Sequence, residues 1–260
     1  MSGGAVGAMI LPVLAQTLIA KAGWRNAFAV LGAMVRLVGL PLAATVRESP
    51  AFRRSPTMAD GIPTVDGLRS RAFWIIVIVL FFASLSQNGS ITHLAALLTD
   101  RGISPGNAAL AVSILGATIL GGRLLTGWLL DRYFAQRVAF CLLVIAAFGT
   151  FVLTGARSSS AGFFGAACIG VGMGGEADVT PYLIAKYFGL RSFSTLYGFS
   201  WTAYAIAGAI GPVIMGKAFD ATGSYQRLLS GLSLLTLLAA SLMLFLPKYR
   251  GNYATGNARK

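Results

Sequence analysis

Long apolar runs alternate with short polar or Pro/Gly-containing breaks along the whole chain. A helix that crosses a bilayer needs about 20 mostly apolar residues, and the breaks divide the chain into eight runs of about that length. The pattern predicts an all-α, polytopic membrane protein with about eight transmembrane helices. The predicted spans are residues 3–20, 26–46, 72–95, 106–128, 137–155, 160–184, 193–216 and 228–247.

The composition excludes a soluble globular protein. Hydrophobic residues make up 56% of the 260 residues and charged residues only 11%, whereas an average soluble domain has about 25% charged residues. Lys and Arg number 21 against 8 Asp and Glu, which gives a net charge of +13. In a soluble protein this excess would indicate nucleic acid; in a membrane protein it indicates loops that face anionic lipid. We therefore expect the lipid bilayer, and no nucleic acid, as a partner.

The orientation follows from the placement of the basic residues. The polar segment 47–71 is the longest break and separates two spans from six. If this segment is cytoplasmic, thirteen Lys and Arg residues lie on its side of the membrane and six on the other. Because cytoplasmic loops carry an excess of Lys and Arg, we expect the 47–71 loop and the C-terminus to be cytoplasmic.

An internal repeat predicts the architecture. At an offset of 200 residues Pro12 pairs with Pro212 and Gly23 with Gly223 in similar contexts. The repeat aligns span one with span seven and span two with span eight, the spacing of two six-helix halves. The chain is then expected to correspond to helices five to twelve of a twelve-helix protein and to lack the first four. The predicted domains are the last two helices of an N-terminal bundle (1–46), an inter-bundle loop (47–71), a six-helix C-terminal bundle (72–248) and a cytoplasmic tail (249–260).

Several motifs occur in order at the spacing of one transporter family. GWRNAF at 23–28, GRLLTGWLLDR at 122–132 and GAIGP at 208–212 resemble motifs of the sixth, eighth and eleventh helices of the major facilitator superfamily. PYLIAKYFG at 181–189 and DATGSY at 220–225 are similar to bacterial members of the monocarboxylate and oxalate/formate type.

The resemblance implies a secondary active transporter that works by alternating access about a site near the bilayer midplane. It implies a small organic solute, a carboxylate anion, moved across the bacterial inner membrane by symport with protons or by another gradient. We expect no cofactor and a monomer.

Charged side chains within predicted spans are candidates for chemistry, because each costs on the order of 2.5–3.5 kcal/mol to insert. Arg123 lies at about the position where the resemblance places an arginine that binds the substrate carboxylate, although the same glycine-flanked arginine also serves structural and gating purposes. Glu176 and Asp178 follow a glycine-rich run and are candidates for proton coupling. Pairing of one of them with Arg36, Arg123 or a residue outside this chain is the alternative.

Polar and aromatic side chains within spans predict a cavity lining. Gln87 and Asn88 belong to a polar cluster in the third span that ends in His93, the only histidine. A polar cluster inside the bilayer typically lines a cavity, with hydrogen bonds between helices as the alternative. Tyr182, Trp201 and Tyr204 complete the predicted substrate-binding set.

A second group of residues predicts gating. Asp131 and Arg132 follow Gly127 in a short cytoplasmic turn, where a carboxylate can meet the positive end of a neighbouring helix in one state only. Pro12 and Pro212 kink their helices, because proline removes a backbone hydrogen bond.

Two rival interpretations stay open at the level of sequence. One is a truncated, non-transporting membrane fragment, since half of the cavity wall is expected to be missing. The other is a membrane-embedded enzyme, which is disfavoured because the sequence contains no phosphate-binding loop motif, no nucleophile elbow and no His/Cys/carboxylate metal set. We therefore expect no enzymatic activity and no metal.

Overall fold

The computed structural model describes residues 2–45 and 60–247 and consists of α-helices joined by short turns. The chain divides into two compact units, Met1–Met58 and Ala59–Lys260. The only β-type pairing within the described ranges is an isolated bridge between Gly61 and Gly189. The all-α prediction is confirmed.

The described part of the chain contains nine helices. A break at Gly23, whose φ of 77° lies in the left-handed region, divides the first helix in two. With that break, the long helices form eight segments in the predicted order, and α2 and α4 are short additions. The helices are α1 (Ser2–Thr45), α2 (Thr64–Arg69), α3 (Arg71–Thr92), α4 (Leu94–Thr99), α5 (Pro105–Leu130), α6 (Ala135–Thr154), α7 (Ser159–Phe188), α8 (Phe193–Thr222) and α9 (Gln226–Met243).

Six helical segments among the described residues are long and apolar enough to cross a membrane: Gly23–Thr45, Arg71–Thr92, Pro105–Leu130, Ala135–Thr154, Phe193–Thr222 and Gln226–Met243. The 30-residue α7 also has the length of a span, and its carboxylates and glycines lower its mean hydropathy. Several boundaries differ from the prediction. The helix predicted at 72–95 ends at Thr92, because His93 interrupts it, and the helices predicted to end at 184 and 216 continue to Phe188 and Thr222.

Glycines bring α7 into close contact with α5. A Cβ atom added at Gly170 would lie 2.6 Å from the carbonyl oxygen of Leu115, and one at Gly174 would overlap that of Ile119. The same Cβ at Gly174 would lie 3.1 Å from the backbone nitrogen of Arg123. Small residues allow helix backbones in membranes to approach this closely, so the glycine run positions α7 directly against the arginine-bearing stretch of α5.

Replacing Gly174 with alanine is expected to destabilise the protein by about 2 kcal/mol, because the new methyl group overlaps backbone atoms that cannot move without shifting α5. Gly121→Ala is the matched control, since a Cβ atom there meets nothing within 4 Å. Thermal unfolding in detergent measures both. A Gly174→Ala variant as stable as Gly121→Ala would show that α5 and α7 are not tightly packed.

Residues 60–64 are paired with the turn between α7 and α8. Leu190 donates a backbone hydrogen bond to the oxygen of Asp60 at 2.8 Å, and Ile62 donates one to Phe188 at 3.0 Å. The Ser192 hydroxyl donates to the oxygen of Ile62 at 2.6 Å. We call residues 60–64 the 60–64 strap. These hydrogen bonds attach the strap, and with it the start of the second unit, to the α7–α8 turn.

Candidate functional site

Four helices of the second unit, α3, α5, α7 and α8, meet around a cavity of about 140 Å³. The walls of this central cavity are mostly apolar, with two charged side chains among them. Its lining residues are Leu80, Ile119, Arg123, Met173, Glu176, Ala177, Thr180, Ser200, Trp201 and Tyr204.

The cavity brings together opposite charges from two helices. Arg123 comes from α5 and Glu176 from α7, and the close packing of these helices at Gly174 explains why both reach the same space. Charged groups within a membrane protein are costly and mark functional sites by default. Two of the charged residues that the sequence singled out therefore share one cavity.

Glu176 is the more isolated of the two charges. Both carboxylate oxygens are shielded from solvent, and neither accepts a hydrogen bond of ordinary geometry within the described residues. The side-chain amide of Gln87 faces the carboxylate from α3 without completing such a bond. A buried carboxylate without fixed donors differs from a structural one, which is normally hydrogen-bonded, so Glu176 is available to exchange a proton or a partner.

Hydrogen bonds of polar side chains join α3 to α8 beside the cavity. The Ser84 hydroxyl donates to the backbone oxygen of Tyr204 at 2.7 Å, and the Asn88 amide donates to the Ser84 hydroxyl oxygen at 3.1 Å. Both side chains also lie within reach of the Tyr204 hydroxyl. Asn88 thus orients Tyr204 and does not itself line the cavity.

Two of the lining hydroxyl groups are already occupied. Thr180 donates to the backbone oxygen of Glu176 at 2.9 Å, and Ser200 donates to that of Leu196 at the same distance. Such bonds to the preceding turn satisfy a hydroxyl within its own helix. Since these hydroxyl hydrogens are already used, the lining side chains that can donate a hydrogen bond to an anionic solute are Arg123, Trp201 and Tyr204.

Aromatic rings form the α8 wall of the cavity. The rings of Trp201 and Tyr204 contact edge to face with centroids 4.7 Å apart, and Tyr197 contacts Trp201 at 6.0 Å. Edge-to-face pairs of this kind hold one another in place. The cavity therefore has a rigid aromatic wall next to its charged groups.

Besides Gln87 and Asn88, two further predicted residues lie outside this lining. Asp178 is two positions after Glu176, and successive helical residues turn by 100°, so its side chain points away from the direction of Glu176. Tyr182 packs against the core of the second unit, and Lys186 lies 5.4 Å from the centre of its ring. Neither residue is among those that line the cavity.

The predicted gate at the end of α5 is exposed. A Cβ atom added at Gly127 would meet nothing within 4 Å, and Asp131 is the exposed residue that follows the helix. Arg132 packs on its own helix, with its guanidinium 4.2 Å from the centre of the Trp128 ring. The contact between Asp131 and the start of a neighbouring helix does not occur among the described residues and stays a prediction.

Of the two prolines predicted to serve gating, Pro212 lies within α8, and its carbonyl oxygen is 3.1 Å from Nε2 of His93. His93 thereby ties the end of α3 to the proline turn of α8. Pro12 falls within the backbone span of α1, but its side chain lies outside the described residues.

A sequence model described as Major Facilitator Superfamily matches residues 1–212, more than half of the chain. The chain belongs to the Major Facilitator Superfamily. The resemblance in the sequence is thus confirmed, and the protein is an integral, multi-pass membrane protein of this superfamily.

Two of the curated relatives that this superfamily member resembles are named as transporters. The chain is 24% identical to monocarboxylate transporter 12 of Rattus norvegicus over 86% of the chain and 54% of the relative. It is 26% identical to the uncharacterized transporter YycB of Bacillus subtilis over 78% of the chain and 50% of the relative. The chain therefore spans about half the length of these curated relatives.

The fold of this superfamily member matches a solved transporter. The crystal structure of the Escherichia coli fucose:proton symporter superposes with a TM-score of 0.66 at 18% sequence identity. The match covers 94% of this chain and 66% of the symporter. At this identity the likeness establishes the fold alone.

Sequence reasoning missed six of the lining residues: Leu80, Ile119, Met173, Ala177, Thr180 and Ser200. Helical spacing carries a usable signal for three of them. Met173 precedes Glu176 by three positions, Thr180 follows it by four and Ile119 precedes Arg123 by four, so each shares a helix face with a charged residue. The apolar type of most of these residues hid them, because apolar residues are common on every face of a span.

Proposed function

We propose that this protein is a secondary active transporter that moves a small organic anion of the carboxylate class, together with a proton, by alternating access. The observation that supports this most strongly is the shared cavity of Arg123 and Glu176, two charges on two packed helices. The similarity to a relative named monocarboxylate transporter 12 supports the carboxylate, and the similarity in fold to a fucose:proton symporter supports proton coupling.

Arg123 has the chemistry to recognise the carboxylate. A guanidinium group offers two parallel N–H donors that match the two oxygens of a carboxylate, and such bonds are stronger than those between neutral groups. A mostly apolar cavity strengthens this interaction because it excludes competing water. We infer that Arg123 binds the anionic end of the solute.

The other walls favour a solute with an apolar body. Leu80, Ile119 and Met173 are apolar, Trp201 and Tyr204 add aromatic rings, and the hydroxyls of Thr180 and Ser200 are occupied. A solute rich in hydroxyl groups would lose its hydrogen bonds to water without replacement. We infer that alkyl or aryl monocarboxylates fit better than oxalate or sugars.

Glu176 couples the proton to the anion through charge. With Arg123 positive and Glu176 negative the cavity is neutral, and protonation of Glu176 leaves it with a charge of +1. A positive cavity binds an anion more tightly than a neutral one, and by linkage the bound anion favours protonation to the same extent. The two are therefore carried together.

The remaining predictions complete the proposal. The 13 to 6 distribution of basic residues supports a cytoplasmic location for segment 47–71 and the C-terminus. The proposal includes a monomer in a bacterial inner membrane. Residues 1–46 belong to an N-terminal bundle, and residues 72–248 form the C-terminal bundle that contains the cavity. Gly127, Asp131, Arg132, Pro12 and Pro212 serve the gates.

Uptake into proteoliposomes tests the function. The panel contains labelled acetate, pyruvate, 2-oxoisovalerate, benzoate, oxalate and a neutral sugar, each with and without an inward pH gradient. We expect uptake of the monocarboxylates with apolar bodies, and faster uptake with the gradient. Uptake of the sugar without any carboxylate would contradict the proposal.

A further inference from the structure

Three turns meet at the end of the second unit that lies opposite the 60–64 strap. They join α4 to α5, α6 to α7 and α8 to α9. Between them lies a polar cavity of about 280 Å³, which we name the arginine vestibule and which is lined by Arg101, Thr154, Gly155, Arg157, Ser224 and Gln226. A neighbouring cavity shares Ser224 and Gln226 and adds Arg227. The vestibule is thus a site distinct from the central cavity.

Arg101 is held in place at the floor of the vestibule. Its Nη1 donates to the backbone oxygen of Leu153 and, at 3.3 Å, to that of Ala156. A cation at the end of a helix is favourable because it meets the last carbonyl groups. Within the described residues Nε and Nη2 donate no hydrogen bond, so this half-buried guanidinium is anchored by one nitrogen and keeps further donors.

The second arginine makes the vestibule strongly positive. Burial, followed by the positive charge of Arg157, lowers the pKa of Arg101. Neither this cavity nor its neighbour is lined by a carboxylate among the described residues. Burial, followed by the negative charges of Asp100 and Asp220, raises the pKa of Tyr225, so these two acidic groups lie near this end without lining either cavity. Two guanidinium groups therefore repel each other without a lining counter-ion, and an anion between them would relieve the repulsion.

Neutral donors surround the pair. The Ser224 hydroxyl oxygen accepts a hydrogen bond from the backbone nitrogen of Gln226 at 3.2 Å, which leaves the hydroxyl hydrogen to donate elsewhere. The Gln226 side chain adds an amide. Guanidinium, hydroxyl and amide donors around one cavity form a set that suits an anionic oxygen group.

We propose that the arginine vestibule binds the carboxylate group of the solute before it enters the central cavity. This proposal rests on the proposed function and on the proposed orientation, which makes the vestibule the outer mouth. A positive cavity at a mouth raises the local concentration of anions and speeds their association. The phosphate of a lipid headgroup has the same chemistry, and the experiment separates the two sources.

Arginine modification by phenylglyoxal tests binding without transport. The protein is purified in dodecyl maltoside, which carries no phosphate, and modified with and without millimolar sodium acetate at constant ionic strength. Peptide mapping is expected to show about threefold slower modification of Arg101 and Arg157 with acetate, and unchanged modification of the exposed control Arg191. The proposal is overturned if acetate does not slow the modification of Arg101 and Arg157, or if it slows that of Arg191 equally. It is also overturned if phosphatidylglycerol vesicles without acetate protect Arg101 and Arg157 from modification, because lipid then occupies the vestibule.

Uptake by an Arg157→Gln variant completes the test, with Arg191→Gln as its matched control. We expect the KM for carboxylate uptake to rise about threefold to tenfold with an unchanged maximal rate, and its dependence on salt to weaken. An unchanged KM would overturn the proposal that the vestibule binds the solute. Protection of Arg101 and Arg157 in a protein that transports no carboxylate would overturn the proposed function and leave the vestibule standing.

Discussion

Replacing Arg123 with glutamine is expected to lower kcat/KM for carboxylate uptake by about 100-fold. The substitution removes the guanidinium group that we propose binds the solute carboxylate in the central cavity. Loss of one partner from a buried, hydrogen-bonded charge pair costs about 2–5 kcal/mol. A loss of about 2.7 kcal/mol corresponds to this factor. Uptake of a labelled monocarboxylate into proteoliposomes at matched protein levels gives the value.

A second variant separates binding from gating. Arg123→Lys keeps the positive charge and loses the bidentate fork, so a binding role predicts a KM about tenfold above that of the wild type and tenfold below that of Arg123→Gln. A gating role predicts that both variants lower the maximal rate alike and leave KM unchanged. Arg191→Gln removes an exposed arginine and controls for net charge. Unchanged uptake by Arg123→Gln would refute the substrate role of this residue.

The Glu176→Gln variant is expected to lose proton-driven accumulation. For one proton carried with each monovalent anion, a pH gradient of one unit supports about tenfold accumulation, which corresponds to 1.4 kcal/mol. Glutamine retains the shape of the side chain but does not exchange a proton. The solute concentration inside the vesicles is therefore expected to rise only to the concentration outside. Exchange of labelled for unlabelled carboxylate is expected to persist, because it needs no net proton movement.

Asp178→Asn is the matched control, since Asp178 lies in the same helix and outside the cavity lining. This variant should accumulate solute like the wild type. Its rate of carboxylate uptake should rise to the same extent when the outer solution is acidified. The pH dependence of Glu176→Gln is expected to be flat. Normal accumulation by Glu176→Gln, or its loss in Asp178→Asn alone, would show that the proton is carried elsewhere.

The interiors of the helices were predictable because a span must be long and apolar, and each predicted run lies mostly within one helical segment. Arg123 and Glu176 stand out in the sequence because charge inside the bilayer is expensive and therefore rare. The glycine-rich run before Glu176 is also visible in the sequence, and its Gly174 packs closely against Ile119. These are local properties, which the sequence carries directly.

The directions in which the side chains of a helix point were less predictable. Gln87 and Asn88 are neighbours in the sequence, yet Gln87 faces Glu176 while Asn88 bonds to Ser84 beside Tyr204. Because this helix is apolar on nearly every face, its sequence has no periodicity that distinguishes the face toward the cavity from the face toward the core. The packing of α3 against α8, through Gly89 and Gly211, fixes that rotation.

By itself the sequence determined the all-α fold, the order and extent of the spans, the superfamily and the two charges of the central cavity, because these depend on residue type and on spacing along one helix. Only the tertiary structure decided which helices meet at the cavity, that Asp178 and Tyr182 lie outside its lining, and that Arg101 and Arg157 share a vestibule. Residues from separate turns come together only when the helices between them pack. That packing is set by many weak contacts spread over whole helices, and no short motif encodes it.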